Sequence, residues 1–158
     1  MGSNMKTVPI TKDLKVLADI LGGFRSIVAR NANVKDAKIG PQSGIDGDKD
    51  GILGELGFCR LMNVWPDIGL SPRSGSHDAV VGGNRIDVKT TRHKTGRLLA
   101  TLKENPDVDI YVLAIIEDAE VKFPGFARKE DLINESNITD LGHGPGYAMT
   151  QDKLRRFQ

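Results

Sequence analysis

The segment DIYVLAII, residues 109–116, constrains the fold more than any other part of the chain. It is a continuous apolar run of strand length, without the polar and apolar alternation of a half-exposed strand. Such runs are typical of strands that are covered on both faces. We therefore predict that this segment is a central strand of a β-sheet.

Two long helices are predicted in the first half of the chain. Apolar residues recur at helical spacing after Thr11, a suitable N-cap, and predict an amphipathic helix over residues 12–32. A polar loop is expected over residues 33–49. A second helix follows over residues 50–63, with Asp50 as its cap.

A β-hairpin is predicted in DAVVGGNRIDVKT, residues 78–90, because two β-prone runs flank the turn sequence Gly82-Gly83-Asn84. Residues 98–102 fit either a short strand or a helical turn. The other expected elements are a strand at 121–126 broken by Pro124, a helix at 128–134, a loop at 143–147 (HGPGY) and a last helix capped by Thr150. Together these elements predict a mixed α/β (α+β) domain.

Length and composition are those of one ordinary globular domain. The chain has 158 residues, of which 39% are hydrophobic and 27% charged. We expect residues 1–5 (MGSNM) to be a cloning remnant ahead of a second start, and residues 6–158 to form a single domain. No apolar run approaches the ~20 residues that span a bilayer, so no membrane partner is expected. Cys59 is the only cysteine, which excludes an internal disulfide and a cysteine-cluster zinc site.

Basic residues are concentrated between Arg85 and Lys103, where Asp87 is the only acid. A block of this kind is typical of an anion-binding face. On charge alone, a solvated surface is the favoured interpretation.

The hairpin brings chemistry-bearing residues together. Asp87 and Lys89 alternate with Ile86 and Val88, so the two charged side chains share one face of their strand. The tight turn places Asp78, at the start of the preceding strand, beside them. Converging carboxylates repel unless a cation neutralises them, and Mg²⁺ prefers one or two carboxylates with waters and phosphates. A lysine at such a site can help to activate water or stabilise charge on a phosphate.

Glu55 adds a third carboxylate on the second helix. Its neighbours three and four positions away are Gly51, Ile52, Phe58 and Cys59, so it faces inward. A buried carboxylate needs a partner, and we expect a metal or a lysine such as Lys89.

The order Glu55 in GxxGE, then Asp78, then Asp87-Val88-Lys89 resembles the PD-(D/E)xK nuclease superfamily. The resemblance covers residues 50–92 directly, and residues 123–132 (FPGFARKEDL) are similar to a strand-then-helix segment of small phage and restriction-type members. His77 stands where the family pattern has proline.

This resemblance implies a restriction-endonuclease-like core, a mixed central sheet flanked by helices. It implies a Mg²⁺-dependent DNA endonuclease in which Mn²⁺ can substitute. Glu55, Asp78, Asp87 and the Val88 carbonyl would bind the metal, and Lys89 would be the catalytic lysine. It further implies duplex or branched DNA as partner, a possible homodimer, and a cytoplasmic location in a bacterium or phage-infected host cell.

Residues that follow the catalytic strand are candidates for holding DNA phosphates. They are Thr90, Thr91, Arg92, His93 and Lys94. Arg73 and Ser74, in the loop before Asp78, are candidates for the same role. The chain has only eight aromatic residues and no interleaved aromatic platform, so single-strand binding by base stacking is not indicated.

The sequence also permits three other interpretations. Asp46, Asp48, Asp50 and Gly51 begin like an EF-hand loop, but its twelfth position is Gly57 instead of glutamate. His77, Asn84 and His93 could suggest an HNH nuclease, yet the first two are too close in sequence for that motif. The third is a non-catalytic module, nucleic-acid-binding or structural, with a degenerate nuclease core.

Overall fold

The computed structural model describes residues 5–31, 44–66, 77–103 and 106–158. The helices are α1 (Lys12–Asn31), α2 (Gly44–Met62) and α3 (Lys129–Leu132). The strands are β1 (Lys6–Pro9), β2 (Ala79–Val81), β3 (Asn84–Thr91), β4 (Leu98–Thr101), β5 (Ile110–Glu117), β6 (Glu120–Arg128), β7 (Ile138–Asp140) and β8 (Pro145–Met149). Within these ranges no helix has the length and apolar content needed to cross a membrane.

A five-stranded mixed sheet forms the centre of the fold, in the order β1-β6-β5-β3-β2. Strand β5 lies in the middle, as its apolar sequence predicts, and pairs in parallel with β3 and antiparallel with β6. A smaller sheet has the order β4-β8-β7. The prediction of a mixed α/β domain with a mixed central sheet and flanking helices is therefore confirmed.

The central sheet is covered on both faces. On one face, Phe58 and Cys59 of α2 pack against Ile86, Val88 and neighbouring residues of the sheet. On the other face, Leu113 and Ile115 of β5 pack with buried residues from β4, β8 and α3. Residues 111–116 are all buried, which explains why this strand carries no polar alternation.

The predicted hairpin is confirmed. Strands β2 and β3 pair antiparallel across a two-residue turn, and Ala79 faces Ile86. Gly82 and Gly83 have φ values of 56° and 81°, the positive angles that a tight hairpin turn of this length requires.

The second helix differs from its prediction at the N-terminal end. Helix α2 begins at Gly44, so Asp46, Asp48 and Asp50 lie inside it and Asp50 does not cap it. Residues 44–49 are therefore helical and not part of a loop, while residues 32–43 lie outside the described residues. The Asp50 carboxylate is instead bound by Arg92, which explains why an acidic residue is tolerated at a buried position of the helix.

The C-terminal third also departs from the sequence predictions. Strand β6 continues through Pro124, because the register between β5 and β6 shifts at this point and the bulge needs no N–H from proline. The HGPGY segment contributes residues 145–147 to strand β8 and is not only a loop. The predicted last helix is a single 3₁₀ turn, Gln151–Lys153, after which Arg155 pairs with Phe126.

Candidate metal and catalytic site

Asp87 and Lys89 share one face of β3, as the alternation predicts. Ile86 and Val88 are buried against α2, so the two charged side chains lie on the opposite face, with Asp87 beside Tyr111 of β5. The Lys89 Nζ atom lies 2.8 Å from Asp87 Oδ2. Asp87 has only 13% of its side chain exposed and Lys89 has 43% exposed, which is more burial than an ordinary surface ion pair shows.

Asp78 lies beside β3, immediately before strand β2 begins. The residue is only 5% exposed. Its Oδ2 atom accepts a hydrogen bond of 2.8 Å from the Val88 N–H, and its own N–H donates to the Ile86 carbonyl at 2.7 Å. The hairpin therefore fixes Asp78 next to the segment that carries Asp87 and Lys89.

The Asp87 and Asp78 carboxylates both interact electrostatically with the Lys89 ammonium group. Burial raises the pKa of Asp87 to about 6, the nearby Lys89 opposes this, and the Asp78 carboxylate adds to the rise by repulsion and a shared hydrogen bond. Burial lowers the pKa of Lys89, but Asp87 and Asp78 outweigh it and raise the pKa overall. Lys89 is therefore a cation, and a second positive charge near the two aspartates would be stabilised.

Glu55 is held close to the sheet by glycines of α2. A Cβ on Gly54 would overlap Thr90 Oγ1, and one on Gly57 would lie 3.1 Å from the Val121 side chain. The GxxG spacing thus lets α2 approach β3 and β6. Glu55, which follows Gly54, has 14% of its side chain exposed.

The expected partner of Glu55 was a metal or Lys89, and the structure supplies an arginine. Arg25 Nη1 donates to Glu55 Oε2 at 2.9 Å. Arg25 comes from α1 and has 20% of its side chain exposed. Lys89 is instead paired with Asp87, on the face of the sheet away from α2.

The electrostatic surroundings of Cys59 indicate where Glu55 and Asp78 lie relative to the edge of β3. Its pKa is raised to about 11, first by burial and then by the charges of Glu55 and Asp78. Glu55 and Asp78 therefore lie near the same buried thiol on the α2 side, while Asp78 also acts on Asp87 and Lys89. In the part of the chain that the structure describes, no three His, Cys, Asp or Glu side chains are grouped closely enough to hold a metal ion.

The candidate phosphate-binding residues lie in different environments. Thr90 Oγ1 is buried beside α2 with no hydrogen-bond partner, and Thr91 Oγ1 accepts a bond from the His93 N–H. Arg92 binds Asp50 through two hydrogen bonds of 2.6 and 2.7 Å. His93 and Lys94 are exposed. Arg73 and Ser74 lie outside the described residues.

A basic loop, residues 92–97, connects β3 to β4 and is anchored from the C-terminal part of the chain. Gln151 Nε2 donates to the carbonyl oxygens of Lys94 and Gly96, each at 3.0 Å. Gly96 is confined here, because a Cβ would lie 2.7 Å from Thr91 Cγ2 and 3.0 Å from the His93 carbonyl oxygen. The loop therefore has a defined conformation that presents cations directly after the candidate catalytic strand.

Two residues that matter for this geometry were missed in the sequence. The apolar periodicity that predicts the first helix does not single out Arg25, and Gln151 stands in a segment that is predicted to be helical. The signal for Arg25 was Gly22, which faces Ile52 at 3.4 Å and marks the close contact between α1 and α2. Gln151 had no local signal, because its partners are more than fifty residues away.

No protein-family model matches the chain, and no curated protein and no solved structure is significantly similar to it. The function proposed below therefore depends on the geometry of the site and on the sequence motif.

Proposed function

We propose that the chain is a metal-dependent DNA endonuclease of the PD-(D/E)xK type, with a restriction-endonuclease-like core. The observation that carries this proposal is the cluster of Asp78, Asp87 and Lys89 at the open edge of the hairpin. Asp87 is a largely buried carboxylate whose pKa is raised by burial and by the nearby Asp78 carboxylate, and such an arrangement is costly for the fold. Such an arrangement is typical of sites that bind a cation or transfer a proton.

The donor set fits a hard divalent cation. Asp78 and Asp87 supply the one or two carboxylates that Mg²⁺ uses with waters and substrate phosphate, and Mn²⁺ accepts the same oxygen ligands. The Val88 carbonyl and Glu55 are the further candidate ligands on this edge. When bound, the cation would supply charge stabilisation for phosphodiester hydrolysis.

Lys89 is the residue that we assign to the attacking water. Its ammonium group is held 2.8 Å from Asp87 and is still partly exposed, so it can contact water and a phosphate oxygen at the same site. In this protonated form it would orient the water and stabilise negative charge on the phosphate. Asp87 sets the position of this ammonium group.

The basic loop supplies a second contact region for DNA. His93 and Lys94 are exposed directly beyond β3, and Lys94 has 80% of its side chain accessible. Contacts of this type position the backbone without reading sequence. Arg92 would contribute while bound to Asp50, whereas the Thr90 hydroxyl faces α2 and is the weakest of the proposed contacts.

The test is a plasmid-nicking assay with purified protein in Mg²⁺, Mn²⁺ or chelator. Asp87→Asn and Lys89→Met should each abolish cleavage with the fold retained, because one removes a carboxylate and the other the ammonium group. Matched controls are Asp118→Asn and Lys12→Met, both at exposed positions outside the Asp78, Asp87 and Lys89 cluster and outside the basic loop. Near-normal nicking by either site variant would refute the assignment.

A substrate panel then identifies what is cut. Labelled duplex, single-stranded, flapped and four-way DNA, together with RNA, should be compared in Mn²⁺. We expect cleavage of duplex or branched DNA. Cleavage of RNA alone would contradict the assigned substrate and leave the catalytic cluster in place.

A non-catalytic module is favoured by one observation, which is that Asp87 and Glu55 already have cationic partners in Lys89 and Arg25. Isothermal calorimetry separates the two functions. Absence of heat with both Mg²⁺ and Mn²⁺, together with absence of nicking, would establish the structural role and exclude the enzyme.

A further inference from the structure

A cavity of about 450 Å³ lies between α1, α2 and the basic loop, and the described residues that line it are separate from the candidate catalytic cluster. Ala18 and Leu53 supply the apolar part of its lining. Three cations also line it, and each comes from a different segment: Lys15 from α1, Lys49 from α2 and Arg92 from the loop. The volume is within the range of ~300–1,000 Å³ that ligand sites in proteins have.

Two carboxylates of the lining interact with two of these cations. Asp50, with 12% of its side chain exposed, accepts hydrogen bonds of 2.6 and 2.7 Å from Arg92, one at each oxygen. Arg92 keeps 57% of its side chain exposed, so Asp50 fixes the guanidinium group without removing it from solvent. Asp19, with 61% of its side chain exposed, lies 3.3 Å from Lys49 Nζ. Because an exposed pair of this type contributes little stability, Lys49 can exchange Asp19 for another anion at low cost.

The charge of the lining favours an anion. The described lining residues comprise three cations and two acids, which gives a net charge of +1. Lys15 is exposed and supplies the excess positive charge, since the other two cations each interact with one acid of the lining. A phosphate group has several acceptor oxygens, so it can contact cations that come from different segments of the chain.

We infer that this cavity binds a phosphate group, with Arg92 as a fixed guanidinium donor and with Lys15 and Lys49 as ammonium donors. Arginine suits planar, two-point contact with phosphate, and lysine acts as a point charge. The DNA backbone and free inorganic phosphate carry the same acceptor oxygens. Arg92 directly follows β3, so a DNA strand along the basic loop would pass the cavity, and the two lysines would extend the contact surface to both long helices. This DNA contact rests on the proposed function.

The full chain is tested in two arms, both in chelator so that no metal-dependent cleavage occurs. In the first arm, fluorescence anisotropy measures the affinity for a labelled duplex of about 20 base pairs, from about 50 to about 200 mM salt. In the second arm, isothermal calorimetry measures the binding of inorganic phosphate. Lys15→Met and Lys49→Met each remove one ammonium group at an exposed position, so circular dichroism should show both variants folded.

Each lysine variant should weaken binding on the order of 3–10-fold, because one charged donor is lost. In the duplex arm, each should also reduce the slope of log affinity against log salt by about 0.9, the change expected for one phosphate contact. Asp19→Asn should act in the opposite direction and strengthen binding roughly 2–5-fold, because Lys49 no longer interacts with a carboxylate.

Lys12→Met and Asp13→Asn are the matched controls. Both residues are exposed in the first turn of α1, and neither lines the cavity. These variants change the net charge by the same amounts as Lys15→Met and Asp19→Asn. Both should therefore bind like the wild type if the cavity, and not the overall charge of the chain, holds the phosphate.

The two arms separate the sources of phosphate. Weaker duplex binding by the lysine variants, without heat from inorganic phosphate, supports the cavity as a site for the DNA backbone, and loss of phosphate heat alone supports it as a site for free phosphate. Lysine variants that bind like Lys12→Met in both arms overturn the proposal, as does a wild-type chain that binds neither ligand. Weaker binding by Asp19→Asn than by the wild type also overturns it. Because neither arm measures cleavage, a chain that fails to nick DNA leaves these outcomes unchanged.

Discussion

Replacing Gly54 by alanine tests the contact that places the Glu55 helix against the catalytic strand. The new Cβ would overlap Thr90 Oγ1 and would lie 3.1 Å from both Thr90 Cβ and Cγ2. Rotation of the threonine would move Oγ1 but not Cβ, so a tight contact at 3.1 Å would remain. Either α2 must move away from β3 or the strand must shift.

The magnitude follows from two opposing effects. Overpacking of a well-packed contact costs about 1–3 kcal/mol, and the severity of this overlap favours the upper part of that range. Alanine in place of glycine inside a helix recovers about 1 kcal/mol. We therefore expect Gly54→Ala to lower the free energy of unfolding by about 1–2 kcal/mol.

Gly51 provides the matched control on the same helix, one turn earlier. A Cβ at Gly51 has no heavy atom within 4 Å, so Gly51→Ala should raise the free energy of unfolding by about 0.5–1 kcal/mol. Urea unfolding followed by circular dichroism measures both. Equal or greater stability of Gly54→Ala compared with Gly51→Ala would refute the reasoning, and Thr90→Ala should partly rescue Gly54→Ala but not Gly51→Ala.

Three further predictions concern the site and its surroundings. Burial raises the pKa of Asp87 to about 6, so the folded chain binds a proton at this carboxylate more tightly than the unfolded chain does. The free energy of unfolding, measured in chelator, should therefore rise by about 1 kcal/mol from pH 8 to pH 5. The Asp87→Asn variant should lack this gain. Cys59, buried with a pKa of about 11, should resist a disulfide reagent at pH 8 in the native chain and react fully in urea; rapid native labelling would contradict its burial. Gln151→Ala removes the two hydrogen bonds that hold the basic loop. DNA affinity, measured by fluorescence anisotropy, should therefore fall on the order of 3–10-fold. Unchanged affinity would show that the loop does not need these hydrogen bonds.

Local signals in the sequence predicted the elements that build the site. The apolar run at residues 109–116 identified the central strand, because a strand covered on both faces needs apolar residues at every position. The turn at Gly82-Gly83 identified the hairpin, because few residues other than glycine adopt its positive φ angles. Both features are properties of a few adjacent residues, and a sequence reports such properties directly.

Long-range partners could not be predicted in the same way. The sequence predicts that Asp50 is a helix cap, because aspartate favours that position, but Arg92, forty-two residues away, makes it a buried ion-pair residue inside the helix. The glycines and proline of HGPGY predict a loop, because these residues are common in turns, but pairing with β4 and β7 overrides that preference. In both cases the deciding contact lies far away along the chain.

The position of Glu55 relative to the Asp87–Lys89 pair also depends on long-range packing, and it affects which carboxylate would contribute most to metal binding. Alternation along β3 predicts that Asp87 and Lys89 share a face, but it does not say which face receives α2. The structure places α2 on the other face, so Asp78 at the strand edge is the carboxylate that lies near both groups. Asp78 would then connect the two sides of the site, and its removal should affect metal binding more than removal of Glu55, whose charge is already matched by Arg25. Calorimetry with Mn²⁺ on Asp78→Asn and Glu55→Gln would compare the two directly, and a larger loss of affinity for Glu55→Gln would contradict this order.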